Sequence, residues 1–146
     1  MRNRLIVQLP QPLLAVKLCQ MQLKDVMRRR VEVVAPDTRL SDAARQMNAM
    51  RLTMLPVCEG SRLVGVLTAR DLTVRATSEG RDPRTTPVRD VMTRAVIYGR
   101  DDQAVLDAAV LMVRYRLSLL PVLDQQGELV GIVSLDELDS KTLRAA

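Results

Sequence analysis

Apolar residues recur along this chain with two periods, and each period predicts a different element. Leu40, Ala43, Ala44 and Met47 stand 3, 1 and 3 positions apart, which places them on one stripe of a helix. Val105, Ala108, Ala109 and Met112 repeat that spacing. Continuous apolar runs around polar turns predict paired strands, Thr53 to Cys58 with Arg62 to Leu67 and Ser118 to Leu123 with Glu128 to Val133. The turns, Glu59-Gly60-Ser61 and Asp124-Gln125-Gln126-Gly127, carry chain-reversing residues. A short apolar strand is expected ahead of each helix, at Val31 to Val34 and at Ala95 to Tyr98. A further helix is expected to close each half, from Thr68 and from Ser134. Between the halves, Ser78 to Pro87 contains Gly80, Pro83 and Pro87 and reads as a linker.

The two halves are copies of one another. Leu23-Lys24-Asp25-Val26-Met27 returns as Val88-Arg89-Asp90-Val91-Met92, an offset of 65. Holding that offset from Asp25 to Val57 gives 15 identities in 33 positions, among them Leu55-Pro56-Val57 with Leu120-Pro121-Val122. One extra residue in the second turn moves the offset to 66, after which Leu63-Val64-Gly65 matches Leu129-Val130-Gly131. Similarity over that length marks a duplication. The organisation read from it is an extension over 1–20, a first repeat over 21–80, a linker over 81–87 and a second repeat over 88–146. A unit of about 60 residues buries too little surface to be stable alone, so the copies are expected to pack sheet against sheet about a pseudo-twofold axis. An uncovered helix face on each copy is expected to make a homodimer.

Composition narrows the chemistry. Hydrophobic residues at 47% and charged residues at 27% suit a globular domain, and the 1% of aromatics leaves the core to aliphatic side chains and Met. Base stacking on aromatic rings, the usual device of single-strand binders, is nearly unavailable. The chain has no His, the commonest general base and metal ligand. Cys19 and Cys58 form no CxxC spacing, and neither a metal site nor a disulfide framework is expected. The residues at 1–20 resemble a secretory leader only superficially: Pro10, Pro12 and Lys17 interrupt the apolar run. They are read as an extra helix or strand packing on the domain, or a ragged leader. No stretch reaches the ~18 apolar residues of a membrane span, and the cytoplasm is the expected location. The net charge of +5 invites an anionic partner, with Arg28-Arg29-Arg30 its one cluster. A nucleic-acid surface would combine that cluster with Arg45, Arg51, Arg114 and Arg116; a solvated turn is the plainer reading.

Gly65-Val66-Leu67-Thr68-Ala69-Arg70-Asp71 carries the most specific chemistry. Thr68 ends a strand and opens a helix, so its hydroxyl and the free N–H groups of the first turn suit a phosphate or hydroxyl oxygen. Asp71 can accept both hydroxyls of a ribose, and Arg70 can pair two phosphate oxygens with its planar fork. Gly65 allows close backbone approach. A nucleobase would lie between the first strand, at Val33, and the Leu55-Pro56 corner; the second copy offers Ile97 and Pro121. Thr68-x-x-Asp71 and Ser134-x-x-Glu137 equally fit a capping box, in which hydroxyl and acid serve only backbone N–H groups. An enzyme is not expected, since no activated nucleophile, base or metal cluster is evident.

The order strand, helix, strand, strand, helix, twice over, resembles the CBS-domain pair, or Bateman module. The Asp-Val-Met openings, the apolar-Pro-Val strands and the Gly-x-x-Thr/Ser-x-x-acid strand ends carry the resemblance, which spans about Met21 to Leu143. It implies an α/β (α+β) fold of two tandem β-α-β-β-α repeats. It also implies a regulatory module without a required cofactor, binding AMP, ADP or ATP, and less often NAD or S-adenosylmethionine. Phosphate and ribose roles then fall to Thr68 and Asp71. Ser134-Leu135-Asp136-Glu137 departs from the pattern by carrying Glu at the acid position, with Asp136 turned ~100° round the helix. One good site and one weak or empty site are expected. The stretch ending Glu79-Gly80-Arg81-Asp82-Pro83 is similar to stand-alone bacterial pairs that act through an effector protein. A purely structural dimerisation scaffold with empty clefts is the remaining alternative.

Overall fold

The computed structural model describes residue 16 and residues 20–138. The rest of the 1–20 extension, with Cys19, and residues 139–146 lie outside the described residues. The elements run α1 (Leu23–Val26), α2 (Leu40–Met50), β1 (Met54–Glu59), β2 (Arg62–Thr68), a π-helix (Asp71–Ala76), a 3-10 turn (Val88–Asp90), β3 (Gly99–Arg100), α3 (Val105–Arg114), β4 (Leu119–Leu123) and β5 (Leu129–Ser134). A helix of which 135–138 are described follows β5. The mixed α/β class, with two small sheets, is as expected, and no described helix is long and apolar enough to cross a membrane.

The chain forms two compact units, 32–96 and 1–31 with 97–146. In unit 32–96, Leu40, Ala43 and Met47 form the buried stripe of α2 and pack with Leu55, Val57 and Leu67 of the β1–β2 hairpin. In the other unit, Val105, Ala108 and Met112 of α3 pack with Leu120, Val122 and Val133. Ala44 and Ala109, on the edge of each stripe, are half-buried. Gly60 and Gly127 adopt φ of 63° and 81° in the two hairpin turns, where a side chain would be strained.

The unit boundaries cut across the sequence repeats. The opening of the first repeat, around α1, belongs to the unit that holds β4 and β5, and the opening of the second belongs to the unit that holds β1 and β2. Matching hydrogen bonds make the exchange. Leu23 N–H donates to Gln103 O at 2.9 Å, as Val88 N–H donates to Thr38 O at 2.8 Å. Arg28 pairs with Ile132 of β5, and Thr93 pairs with Val66 of β2, each in an antiparallel bridge. Glycine makes room for this: a Cβ on Gly65 would lie 2.8 Å from Met92 Sδ and 2.9 Å from Thr93 O. One on Gly131 would lie 2.8 Å from Met27 Cγ and 3.0 Å from Arg28 O.

The short first strands differ from expectation. Over 31–34 only Val34 pairs, in a parallel bridge to Val57. In the second copy the pairing falls on Gly99–Arg100, against Val122 and Leu123, rather than on Ala95 to Tyr98. The pairing residues stand at one point of the repeat, Val34 and Gly99 being 65 apart like their partners Val57 and Val122, and so short a contact leaves the rest of each apolar run unpaired. A Cβ on Gly99 would lie 2.6 Å from Leu23 Cδ1, so glycine there makes room for α1. The linker is also more ordered than a Gly/Pro-rich stretch suggests. Thr86 is buried, its carbonyl accepts from Leu40 N–H at 3.0 Å, and Pro83 O accepts from Ser41 N–H at 2.9 Å. Along it, the Arg81 guanidinium beside Glu79 holds that carboxylate below its usual range, and the Arg84 N–H does the same for Asp82.

Candidate functional site

Each hairpin ends where its second strand turns into a helix, and the turn is fixed by the strand that precedes it. Ala69 N–H donates to Thr53 O at 3.0 Å, and Leu135 N–H donates to Ser118 O at 3.2 Å. This leaves the side chains of Thr68 and Ser134 at equivalent helix starts.

At the end of β2 the capping box forms in full. Thr68 N–H donates to Asp71 Oδ2 at 2.9 Å, and Asp71 N–H donates to Thr68 Oγ1 at 3.1 Å. The Thr93 hydroxyl donates to the same carboxylate, 3.2 Å from Oδ1 and 3.3 Å from Oδ2. Arg75 Nη1 lies 3.7 Å from Asp71 Oδ1 and donates to Met92 O at 3.3 Å. Asp71 is 5% exposed, one of two buried polar residues among those described. A buried carboxylate is stable only with such partners. The π-helix begins at Asp71, a rare widening of the helix that often marks functional positions.

At the end of β5 half of the box forms. Glu137 N–H donates to Ser134 Oγ at 3.1 Å, but the Glu137 carboxylate turns to Arg28, whose Nε lies 3.1 Å from Oε1. Its Oε2 is buried and finds no partner among the described residues. The extra methylene of Glu carries the carboxylate past the strand's N–H and onto the cation.

The remaining candidates divide between the units. With Thr68 and Asp71 in unit 32–96 are Val33, exposed, and Arg70, exposed and making no ion pair with a described residue. Leu55 is fully buried in the core and Pro56 is also buried. Ile97 (half-buried), Pro121 (buried), Asp136 (exposed), Ser134 and Glu137 lie in the other unit. Sequence reading missed Thr93, Arg75 and the partnership of Arg28 with Glu137. A signal was present: the copies differ together at 28/93 and at 137/71, Arg with Glu and Thr with Asp.

Several of the basic residues have local partners. Arg28 pairs with Glu137, Arg29 donates to Lys24 O, and Arg45 pairs with Asp42 at 3.1 Å. Arg51 and Arg116 are exposed and take φ of 54° and 55° just past α2 and α3. Arg114 lies over the Tyr115 ring. Cys58 is buried, and desolvation pushes its thiol above the ordinary value, which suits packing rather than nucleophilic chemistry. No cluster of metal-ligating side chains occurs among the described residues.

Comparison with known proteins agrees with this geometry. The sequence pattern of the CBS domain matches twice, over residues 23–76 and 88–141. The CBS domain-containing protein YhcV of Bacillus subtilis is 38% identical over 116 residues, 80% of this chain and 81% of that protein. The crystal structure of CBSX2 of Arabidopsis thaliana in complex with AMP superposes with a TM-score of 0.74 at 30% identity, covering 85% of this chain and 97% of that one. The CBS domain pair of protein MJ0100, in complex with 5′-methylthioadenosine and S-adenosyl-L-methionine, gives 0.70 at 25% identity over 83% of this chain and 98% of that one. With both copies matched and the strand-end residues of each described, the chain belongs to the CBS-domain family as a tandem pair.

Proposed function

We propose that this chain is a non-catalytic regulatory module that binds an adenine nucleotide at the Thr68–Asp71 strand end and signals to an effector protein. The observation that carries the reading is the buried Asp71 carboxylate at the start of a helix, in a chain similar to CBSX2, whose structure holds AMP. Ribose hydroxyls would go to Asp71 and phosphate to the Thr68 hydroxyl with Arg70. AMP leads, followed by ADP and ATP; S-adenosylmethionine has the MJ0100 pair in its favour, and NAD comes last. No cofactor is required, and the module would work in the cytoplasm. The Glu137 strand end is the weak or empty site, because Arg28 holds its carboxylate.

The reading extends to a homodimer through helix faces. Val110 and Val113 of α3 are 58% and 65% exposed. In unit 32–96 a shallow groove of about 360 Å³ lies between α2 and the helix after β2, lined by Ala44, Met47, Leu52 and Leu72 among others. None of the proposed nucleotide contacts lines it.

Thermal unfolding with AMP, ADP, ATP, NAD and S-adenosylmethionine tests the reading. A ligand at 100 times its Kd stabilises by about 2.7 kcal/mol, a shift of several degrees. The control is Asp71→Asn, which keeps an oxygen for the Thr68 N–H while removing the charge. A shift for one nucleotide that the variant loses supports the site; no shift with any of them overturns it.

A further inference from the structure

We infer that Thr93 is a built-in competitor for the nucleotide, setting how much ligand the Asp71 site needs before it fills. The inference rests on the proposed ribose contact at Asp71 and concerns what stands in the ribose's place when no ligand is bound. A single oxygen 3.2 Å and 3.3 Å from the two carboxylate oxygens lies near the bisector between them. A cis-diol that gives one hydroxyl to each carboxylate oxygen needs that same space. The Thr93 hydroxyl and a ribose therefore exclude one another.

The other groups around Asp71 are less able to yield or less in the way. The Thr68 N–H is the cap of the helix, and losing it would expose an orphan donor at a buried strand end. Arg75 stands at 3.7 Å, beyond hydrogen-bonding distance, and keeps Met92 O as a second partner. Thr93 can withdraw its hydroxyl by rotating one side-chain bond. Its backbone stays in place meanwhile, because Thr93 N–H donates to Val66 O at 2.8 Å and Thr93 O accepts from Val66 N–H at 2.9 Å. The residue at the aligned position of the first repeat is Arg28, which occupies Glu137 by an ion pair rather than a hydroxyl. Each strand-end acid thus meets the residue that follows an Asp-Val-Met opening. The hydroxyl makes the weaker and more easily displaced occupant of the two.

The test is calorimetric titration of AMP into the full chain, Thr93→Ala and Thr93→Ser. Removing the competing bond should tighten AMP about fivefold, the equivalent of ~1 kcal/mol, in Thr93→Ala. Thr93→Ser, which keeps the hydroxyl, should stay within about twofold of the parent. The 2′,3′-dideoxy analogue of AMP, which has no diol to compete, should show no gain in Thr93→Ala. A residue that only supports the fold would weaken AMP when truncated, and a residue that binds ligand would weaken it more. Unchanged or weaker AMP binding in Thr93→Ala, with the parent binding normally, overturns this inference and leaves the site reading intact. Absence of AMP binding in all three chains overturns both. Binding gained only in Thr93→Ala supports the competitor in its strongest form.

Discussion

The ends of β2 and β5 occupy the same place in two copies of one fold, yet their carboxylates do different things. Asp71 is drawn into its own helix start, with the strand's N–H on one oxygen and the Thr93 hydroxyl across both. Glu137 abandons the strand's N–H, pairs with Arg28 at the half-exposed rim and leaves one oxygen without a partner among the described residues. One methylene and one change of partner separate a satisfied, buried acid from a tethered one. The scaffold around them scarcely differs, down to matched hydrogen bonds at the strand start and the repeat opening. Duplicated chemistry therefore diverged through two coupled positions while the backbone stayed put.

If the scaffold is as equivalent as this implies, damage to it should be equal in both copies. Gly65→Ala and Gly131→Ala each push a Cβ into a backbone carbonyl, Thr93 O or Arg28 O, as well as a Met side chain. Each should lower the unfolding free energy in urea by about 2–3 kcal/mol. A cost in one copy only would break the equivalence.

The acids themselves should behave unequally. Asp71→Ala removes a cap and leaves the Thr68 N–H and Thr93 hydroxyl without their acceptor, for a loss of about 2 kcal/mol. Glu137→Ala removes a partly exposed ion pair and an unpartnered oxygen, and should cost less than about 1 kcal/mol. Equal losses in the same urea titration would mean that the two ends are held alike.

A smaller effect tests whether the two positions suffice. Arg28→Thr combined with Glu137→Asp rewrites the second strand end in the pattern of the first. Titration with AMP should then reveal an added, weaker site, worth about 1.4 kcal/mol of stabilisation at tenfold excess over its Kd. Unchanged stoichiometry would place the difference elsewhere in the copies.

Much of this was legible in the sequence, for physical reasons. The stripe from Leu40 to Met47 and the apolar runs around Gly60 and Gly127 announce themselves because burial on one face imposes a period. The Glu at 137 announced a different second strand end, because its longer side chain moves the carboxylate; the partner that receives it, Arg28, was not announced. The first strands were misplaced because so little pairing defines them: Val34 in one copy and Gly99–Arg100 in the other. An apolar run cannot say which of its residues meets the neighbour; in both copies it is the aligned position, Val34 or Gly99, at or just past the end of the run. Nor could local sequence reveal that Leu23–Val26 and Val88–Asp90 each complete the other copy's unit. The hydrogen bonds they make, such as Leu23 N–H to Gln103 O, would look the same in one-dimensional pattern whichever copy supplied the acceptor. Thr93 stayed hidden for that reason, since its link to Asp71 spans 22 positions.

The exchanged openings carry a consequence for how such a chain could have arisen. A gene encoding one copy alone would make a protein whose sheet edge waits for an opening segment that its own chain spends elsewhere. Two such molecules would complete each other reciprocally. Tandem duplication with fusion then needs no new surface: it joins two already interdependent polypeptides by a linker and frees each half to change its acid without losing its partner.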